Sequence, residues 1–334
     1  RNFLSRYPEA NWMHKRMQGL SARLTALPAA PPDLTEALYR AQANDAYWHG
    51  LFGGLYLPHL RRAVWNNILA LEAGLDRLQP RAPGRPDDMD LDGCRETLVT
   101  TPLLQIALRD DGLGAVHELS SYPLTHNFGD TLRRHSEHYH ERIGAGPSQH
   151  DGSGIASAHD IVRFKHPVEA SDVLPDPHPR VLWLDQLDGH TLADYRQADD
   201  SPVLFQREGI DKTYTVTAAT IDVHWQLRGL AGQQFTTTLN LAMPSCDGFL
   251  GRYVLENGHI PCGFGQALDL PEAAGLTLED GVLGGLLRLT CAPAPRVCGR
   301  PHHTVSQSEA GFEKIMQATE VSLGWTIPDD DCTL

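Results

Sequence analysis

No apolar run among the 334 residues approaches the roughly 18 that a membrane-crossing helix needs, so the sequence holds no transmembrane α-helix. Positive charge is in short supply. Twenty-eight Lys and Arg stand against 42 Asp and Glu, a net charge of −14 that repels nucleic-acid phosphates and anionic membrane surfaces and favours a neutral ligand. Cysteine is scarce too: Cys94, Cys246, Cys262, Cys291, Cys298 and Cys332 are scattered with no CxxC pair. A chain of this length reaches stability without disulfide staples, so these read mostly as free thiols in a reducing cytoplasm. Internal repeats and low-complexity tracts are absent. The chain opens on Arg1-Asn2-Phe3-Leu4, neither an initiator Met nor a signal peptide, from which a fragment or a processed product is expected.

What is present is a balanced globular composition, 41% hydrophobic and 21% charged, enough for one large or two ordinary domains. From Pro8, Met13, Met17, Leu20, Leu24 and Leu27 recur at steps of three and four, the spacing of one helical stripe. Pro28 and Pro31-Pro32 end that helix. Asp33 is placed to cap a second, carrying Leu34, Leu38 and Ala41. Gly50 and Gly53-Gly54 break the chain, and a third helix follows Pro58 with Leu60, Val64, Ile68, Leu71, Leu75 and Leu78 on one face. The expectation is a three-helix bundle over residues 1–80.

Residues 81–92, rich in Pro, Gly, Asp and Arg, read as a linker. After it the period becomes strand-like, and residues 93–334 are expected to form an all-β sandwich. Leu98 to Leu108 and Ala115 to Ser120, joined by Asp110-Asp111-Gly112, predict a hairpin. Further strands are expected at Val181 to Leu184, Thr213 to Leu227, Phe235 to Met243, Gly284 to Thr290 and Glu313 to Ile327, and one helix at Asp130 to Ile143. The fold class is therefore mainly β with an N-terminal α subdomain.

One residue breaks the pattern. Continuing the stripe from Leu34, Leu38 and Ala41 lands on Asp45 and Trp48, which puts an acid on a face that should be apolar. A buried carboxylate costs several kcal/mol unless paired, so Asp45 either opens onto a cleft or pairs with an arginine such as Arg61 or Arg62. With Tyr47, Trp48 and His49 adjacent and glycines beyond, the cluster suits a sugar site: ring faces stack on pyranoses and a carboxylate accepts from hydroxyls. The alternative is a helix end whose Trp packs in the core.

The run Asn44-Asp45-Ala46-Tyr47-Trp48-His49-Gly50-Leu51-Phe52-Gly53-Gly54-Leu55-Tyr56, within the stretch 39–61, resembles a characteristic segment of family 57 glycoside hydrolases of the α-amylase/4-α-glucanotransferase type. Ala43 stands where such enzymes commonly have Cys. Three more stretches agree: Asn2-Phe3-Leu4 with Tyr7 to Asn11 and Met13 to Lys15, Leu132-Arg133-Arg134 with Glu137, Tyr139 and His140, and Thr304 to Glu313. The resemblance implies a retaining enzyme on α-1,4-glucans whose Glu nucleophile and Asp acid/base belong to a (β/α)7 barrel preceding these residues. It implies no catalytic residue, metal or cofactor here, a galactose-mutarotase-like supersandwich, and a helical part that meets the barrel mouth. Asp45, Trp48, His49 and Tyr47 are then the expected contacts to an α-1,4-glucan or maltooligosaccharide.

Two other clusters are weighed. His135, Glu137 and His138 have zinc-ligand chemistry, although a solvated His-rich helix is the commoner case. Asp329-Asp330-Asp331 reads as a frayed terminus rather than a calcium site, and Ser308 lacks the GxSxG frame of a nucleophile.

Overall fold

The computed structural model describes all residues except 1, 51–52, 83, 144–166, 246–248 and 309–310. Four α-helices come first: α1 (Asn2–Arg6), α2 (Pro8–Thr25), α3 (Pro32–Ala41) and α4 (Pro58–Leu78). The predicted stripes hold in the middle and fade at the ends. Met13, Met17, Leu20 and Leu24 are buried on α2, and Val64, Ile68, Leu71 and Leu75 on α4, while Leu78 is exposed. Asp33 does not cap α3. That helix starts two residues earlier, with Pro31 at the cap position, and Asp33 lies in its first turn, where a negative charge complements the helix dipole. α3 packs so closely on α4 that a Cβ at Gly74 would come within 2.3 Å of the Leu34 side chain.

The rest is antiparallel sheet. The first strands are β1 (Glu96–Thr100), β2 (Leu104–Arg109), β3 (Val116–Ser121), β4 (His126–Asn127), β5 (Leu182–Leu187) and β6 (His190–Thr191). Then come β7 (Arg196–Ala198), β8 (Ser201–Arg207), β9 (Ile210–Val216), β10 (Ile221–Arg228), β11 (Gln234–Leu241) and β12 (Gly251–Leu255). The last are β13 (Leu268–Leu270), β14 (Gly275–Asp280), β15 (Gly285–Thr290), β16 (Arg296–Ser308), β17 (Gly311–Thr326) and β18 (Asp331–Thr333). They make a large sheet ordered β1-β2-β3-β5-β11-β17-β16-β13, with β4 on β3 and β6 on β5, a second ordered β18-β10-β9-β8-β7, and a third, β12-β14-β15.

The predicted hairpin is the β2–β3 pair, with Gly112 at φ +87°. The runs 98–108 and 213–227 are each two strands with a turn between them, and the acidic terminus is not frayed, because β18 pairs with β10 and Leu334 is buried. The predicted helix at 130–143 is also absent. Only His138–Arg142 turns, as a 3₁₀ segment; the residues before it have no regular secondary structure and bond to the helices on one side and the sheet on the other. Asp130 receives Arg61 Nε at 3.1 Å instead of capping a helix, Thr131 Oγ1 donates to the Asn240 carbonyl, and His302 Nε2 donates to the Leu132 carbonyl.

One core joins the large sheet to both smaller sheets, with Tyr253, Leu276 and Leu278 of the three-stranded sheet in it, and another lies within the helices, which pack against the β2 residue Ala107. Arg16 of α2 joins the two regions. It is buried between Glu72 of α4 and Glu118 of β3, at 2.6 and 3.0 Å, and Arg81 adds a further contact to Glu72 at 2.8 Å.

Candidate functional site

The four stretches that carry the family resemblance are more than 290 residues apart at their extremes, yet they meet at one end of the helical region. Glu137 is the hub. Its Oε1 accepts from the Tyr7 hydroxyl at 2.7 Å and the Tyr56 hydroxyl at 2.8 Å, and its Oε2 from Arg6 Nη2 at 2.9 Å. Burial, reinforced by the nearby carboxylate, holds both phenols well above the usual tyrosine range, which makes them fixed donors. His49 lies next to them. Its Nδ1 faces the Gly53 carbonyl at 3.1 Å, which can only accept, so Nε2 is the acceptor facing the Tyr139 hydroxyl at 3.0 Å. Burial lowers the pKa of His49 and keeps the ring neutral. Tyr139 also lies 3.2 Å from the Val305 carbonyl, and His140 Nε2 donates to that same oxygen at 3.1 Å.

The four sequence candidates divide into two pairs. α3 ends at Ala41 and the chain tightens into a 3₁₀ turn at Asn44–Tyr47, so the stripe that appeared to carry Asp45 inward stops short and Asp45 is exposed. It does not pair with Arg61, which is buried and satisfied by Asp130, the Leu55 carbonyl and Gln317. Tyr47 is structural: its hydroxyl donates to the Ala41 carbonyl at 2.7 Å and its ring meets His14 edge-on. His49 is likewise held by its own loop.

Trp48 differs from both. It is partly exposed, its ring meets Phe3 edge-on at 6.4 Å, and its buried Nε1 has no hydrogen-bond partner among the described residues, a cost of about 1–3 kcal/mol. Gly50 lies on the indole so closely that a Cβ there would come within 2.2 Å of the ring. The zinc candidates do not converge: His135 contacts Glu9 at 3.2 Å, Glu137 serves the tyrosines, and His138 is in solvent.

Known proteins match both parts of the chain. Residues 1–75 match the middle-domain model of the α-amylase/4-α-glucanotransferases, and residues 88–333 match their C-terminal model. The chain belongs to the α-amylase/4-α-glucanotransferase family. It is 30% identical over 350 residues to a 4-α-glucanotransferase of Thermococcus kodakarensis, covering 97% of this chain and 50% of that protein. An α-amylase of Pyrococcus horikoshii is 42% identical over 344 residues, covering 98% of this chain and 48% of that protein. The fold matches the crystal structure of the 4-α-glucanotransferase from Thermococcus litoralis with a TM-score of 0.75 at 24% identity, over 100% of this chain and 49% of that one. The chain thus spans about half the length of the curated relatives it matches.

Within this family framework, sequence reasoning named the segment around Trp48 but missed what holds it. Tyr7, Tyr56 and Glu137 all lie in the stretches that carry the resemblance; nothing in their spacing reveals that a carboxylate 81 residues beyond Tyr56 is its partner. Arg61 was considered for the wrong acid. No local signal separates a buried arginine from a solvated one on an amphipathic helix.

Proposed function

We propose that the chain is the C-terminal, non-catalytic portion of a family 57 α-1,4-glucan-processing enzyme, a retaining 4-α-glucanotransferase or α-amylase, and that its Trp48 end faces the catalytic barrel and the glucan. Sequence N-terminal to these residues supplies that barrel and its two carboxylates in this reading. The observation that carries it is the convergence of the four family stretches on one partly exposed aromatic patch, where the buried indole N–H of Trp48 has no partner among the described residues and Asp45, three residues earlier, is exposed. An indole face packs on the apolar face of a pyranose, and a carboxylate accepts from its hydroxyls. Tyr47 and His49 shape the loop rather than touch sugar, because their polar atoms are already used. The five described cysteines are free, in keeping with work in a reducing, cytoplasmic setting.

Titration calorimetry of the purified chain with maltoheptaose, beside a Trp48→Ala variant and an assay for released or transferred glucose, tests the reading. The expected result is weak binding that the substitution abolishes, with no turnover by either protein. Turnover by the chain itself would overturn the placement of the chemistry elsewhere. Binding that persists in the variant would remove Trp48 from the sugar.

A further inference from the structure

The segment that the composition marks as a linker has a pattern of its own. Asp88-Met89-Asp90-Leu91-Asp92-Gly93 places acids at alternate positions before a glycine, and Glu96 follows three residues on, at the start of β1. The first six positions have the ligand spacing of a calcium-binding loop, although the closing Glu comes three residues earlier than in an EF-hand and no helix pair flanks it. Leu91 at φ +60° and Gly93 at φ +97° curl the loop on itself. The Asp88 carboxylate accepts from the Asp92 and Gly93 amides at 3.0 Å each, and Asn11 Nδ2 of α2 ties down the Asp90 carbonyl at 2.8 Å.

We infer that this loop binds a calcium ion through the carboxylates of Asp88, Asp90 and Glu96. One carboxylate oxygen from each lies within 4.8 Å of the other two, a separation that oxygens on a common ion at 2.3–2.6 Å can span. A separate observation points to the ligand: Asp90 and Glu96 are each about 1% exposed, and Asp90 Oδ1 and Glu96 Oε1 are buried with no hydrogen-bond partner among the described residues. The second oxygen of each is engaged, Glu96 Oε2 by the Met89 amide at 2.9 Å and Asp90 Oδ2 by Arg109, so one buried acceptor on each carboxylate is left without a donor, which is costly.

The neighbouring cation does not fill the gap. Arg109 pairs with Asp92 and reaches Asp90 Oδ2 at 3.3 Å, but stays 3.6 Å from Glu96 Oε1. The three side-chain donors are hard carboxylate oxygens, which suits calcium; zinc prefers nitrogen and sulfur, and magnesium demands a regular octahedron. The loop joins the helices to the large sheet, so the ion would fasten the two regions.

The test is thermal unfolding of the full chain after chelator treatment, with calcium or magnesium added back, beside Asp90→Asn and Glu96→Gln. Calcium at a hundredfold excess over its Kd should raise Tm by about 5 °C, magnesium should do little, and both variants should lose the response. Terbium luminescence displaced by calcium, read on variants whose circular dichroism matches the parent, gives a second readout that does not depend on a stability change; if either variant fails to fold, Asp88→Asn takes its place. The inference is overturned if the parent shows neither a calcium shift nor calcium-displaceable terbium, if magnesium acts equally, or if the folded variants respond as the parent does.

Discussion

At the scale of single residues, the molecule is held together by charges in places where charge is expensive. Lys212 and Asp185 are both fully buried in the sandwich core, 2.9 Å apart. Asp185 also accepts from Tyr195, Trp225 and Thr237, and Lys212 Nζ donates to the Trp183 carbonyl at 2.6 Å and lies over three aromatic rings. The pair tolerates burial only because every partner is present. Lys212→Met should therefore cost about 3–5 kcal/mol in urea unfolding by leaving Asp185 uncompensated, and Asp185→Asn added to it should recover part of that loss. An unchanged urea midpoint in the single variant would show that the pair carries no such load. None of this is visible in the order of residues, since Lys212 lies in an ordinary strand whose alternation predicts burial only of its faces.

At the scale of elements, the loop between α3 and α4 depends on glycine for a reason that can be measured. Gly54 sits at φ +52°, and a Cβ there would lie 2.2 Å from the Trp48 carbonyl, which receives the Leu55 amide at 2.8 Å. Gly54→Ala should destabilise by about 1–3 kcal/mol and shift the fluorescence attributable to Trp48. Gly19, exposed on α2 with nothing within 4 Å of its Cβ position, should behave oppositely and stabilise by about 0.5–1 kcal/mol as alanine. Chemical denaturation of the two variants side by side checks both signs. The same scale explains the lost helix at 130–143. A segment whose polar groups are used by Arg61, Asn240, Glu9 and His302 gains more from bonding to the helices and the sheet than from bonding to itself. Strand β16 was missed for a related reason, since Gly299, Pro301, His302 and His303 argue against a strand until β17 lines up beside them over its whole length.

At the scale of the whole molecule, stability should fall with acid. Burial drives His126 down to about 4 and His302 down to about 3, so both are neutral in the fold and take up protons on unfolding. Their folded values lie below the unfolded value near 6.5. The stability they contribute is therefore complete above that pH and declines by about 1.4 kcal/mol per histidine for each pH unit below it, until the folded values are reached. Asp176 adds to the decline below its ordinary range: against the opposing effect of burial, Arg180 and Arg134 hold its carboxyl low. Denaturant midpoints at pH 7 and pH 5 should differ, and by less in His302→Gln; equal midpoints in the parent would contradict the assignment. The sequence by itself determined what is local: helices whose apolar residues recur every three or four positions, a hairpin whose turn needs Gly112, and a family signature written in contiguous runs. The tertiary structure decided the rest, sending Asp45 into solvent and Glu137 into the interior, because burying a carboxylate is costly without partners, and those of Glu137 come from Arg6, Tyr7 and Tyr56, far away along the chain.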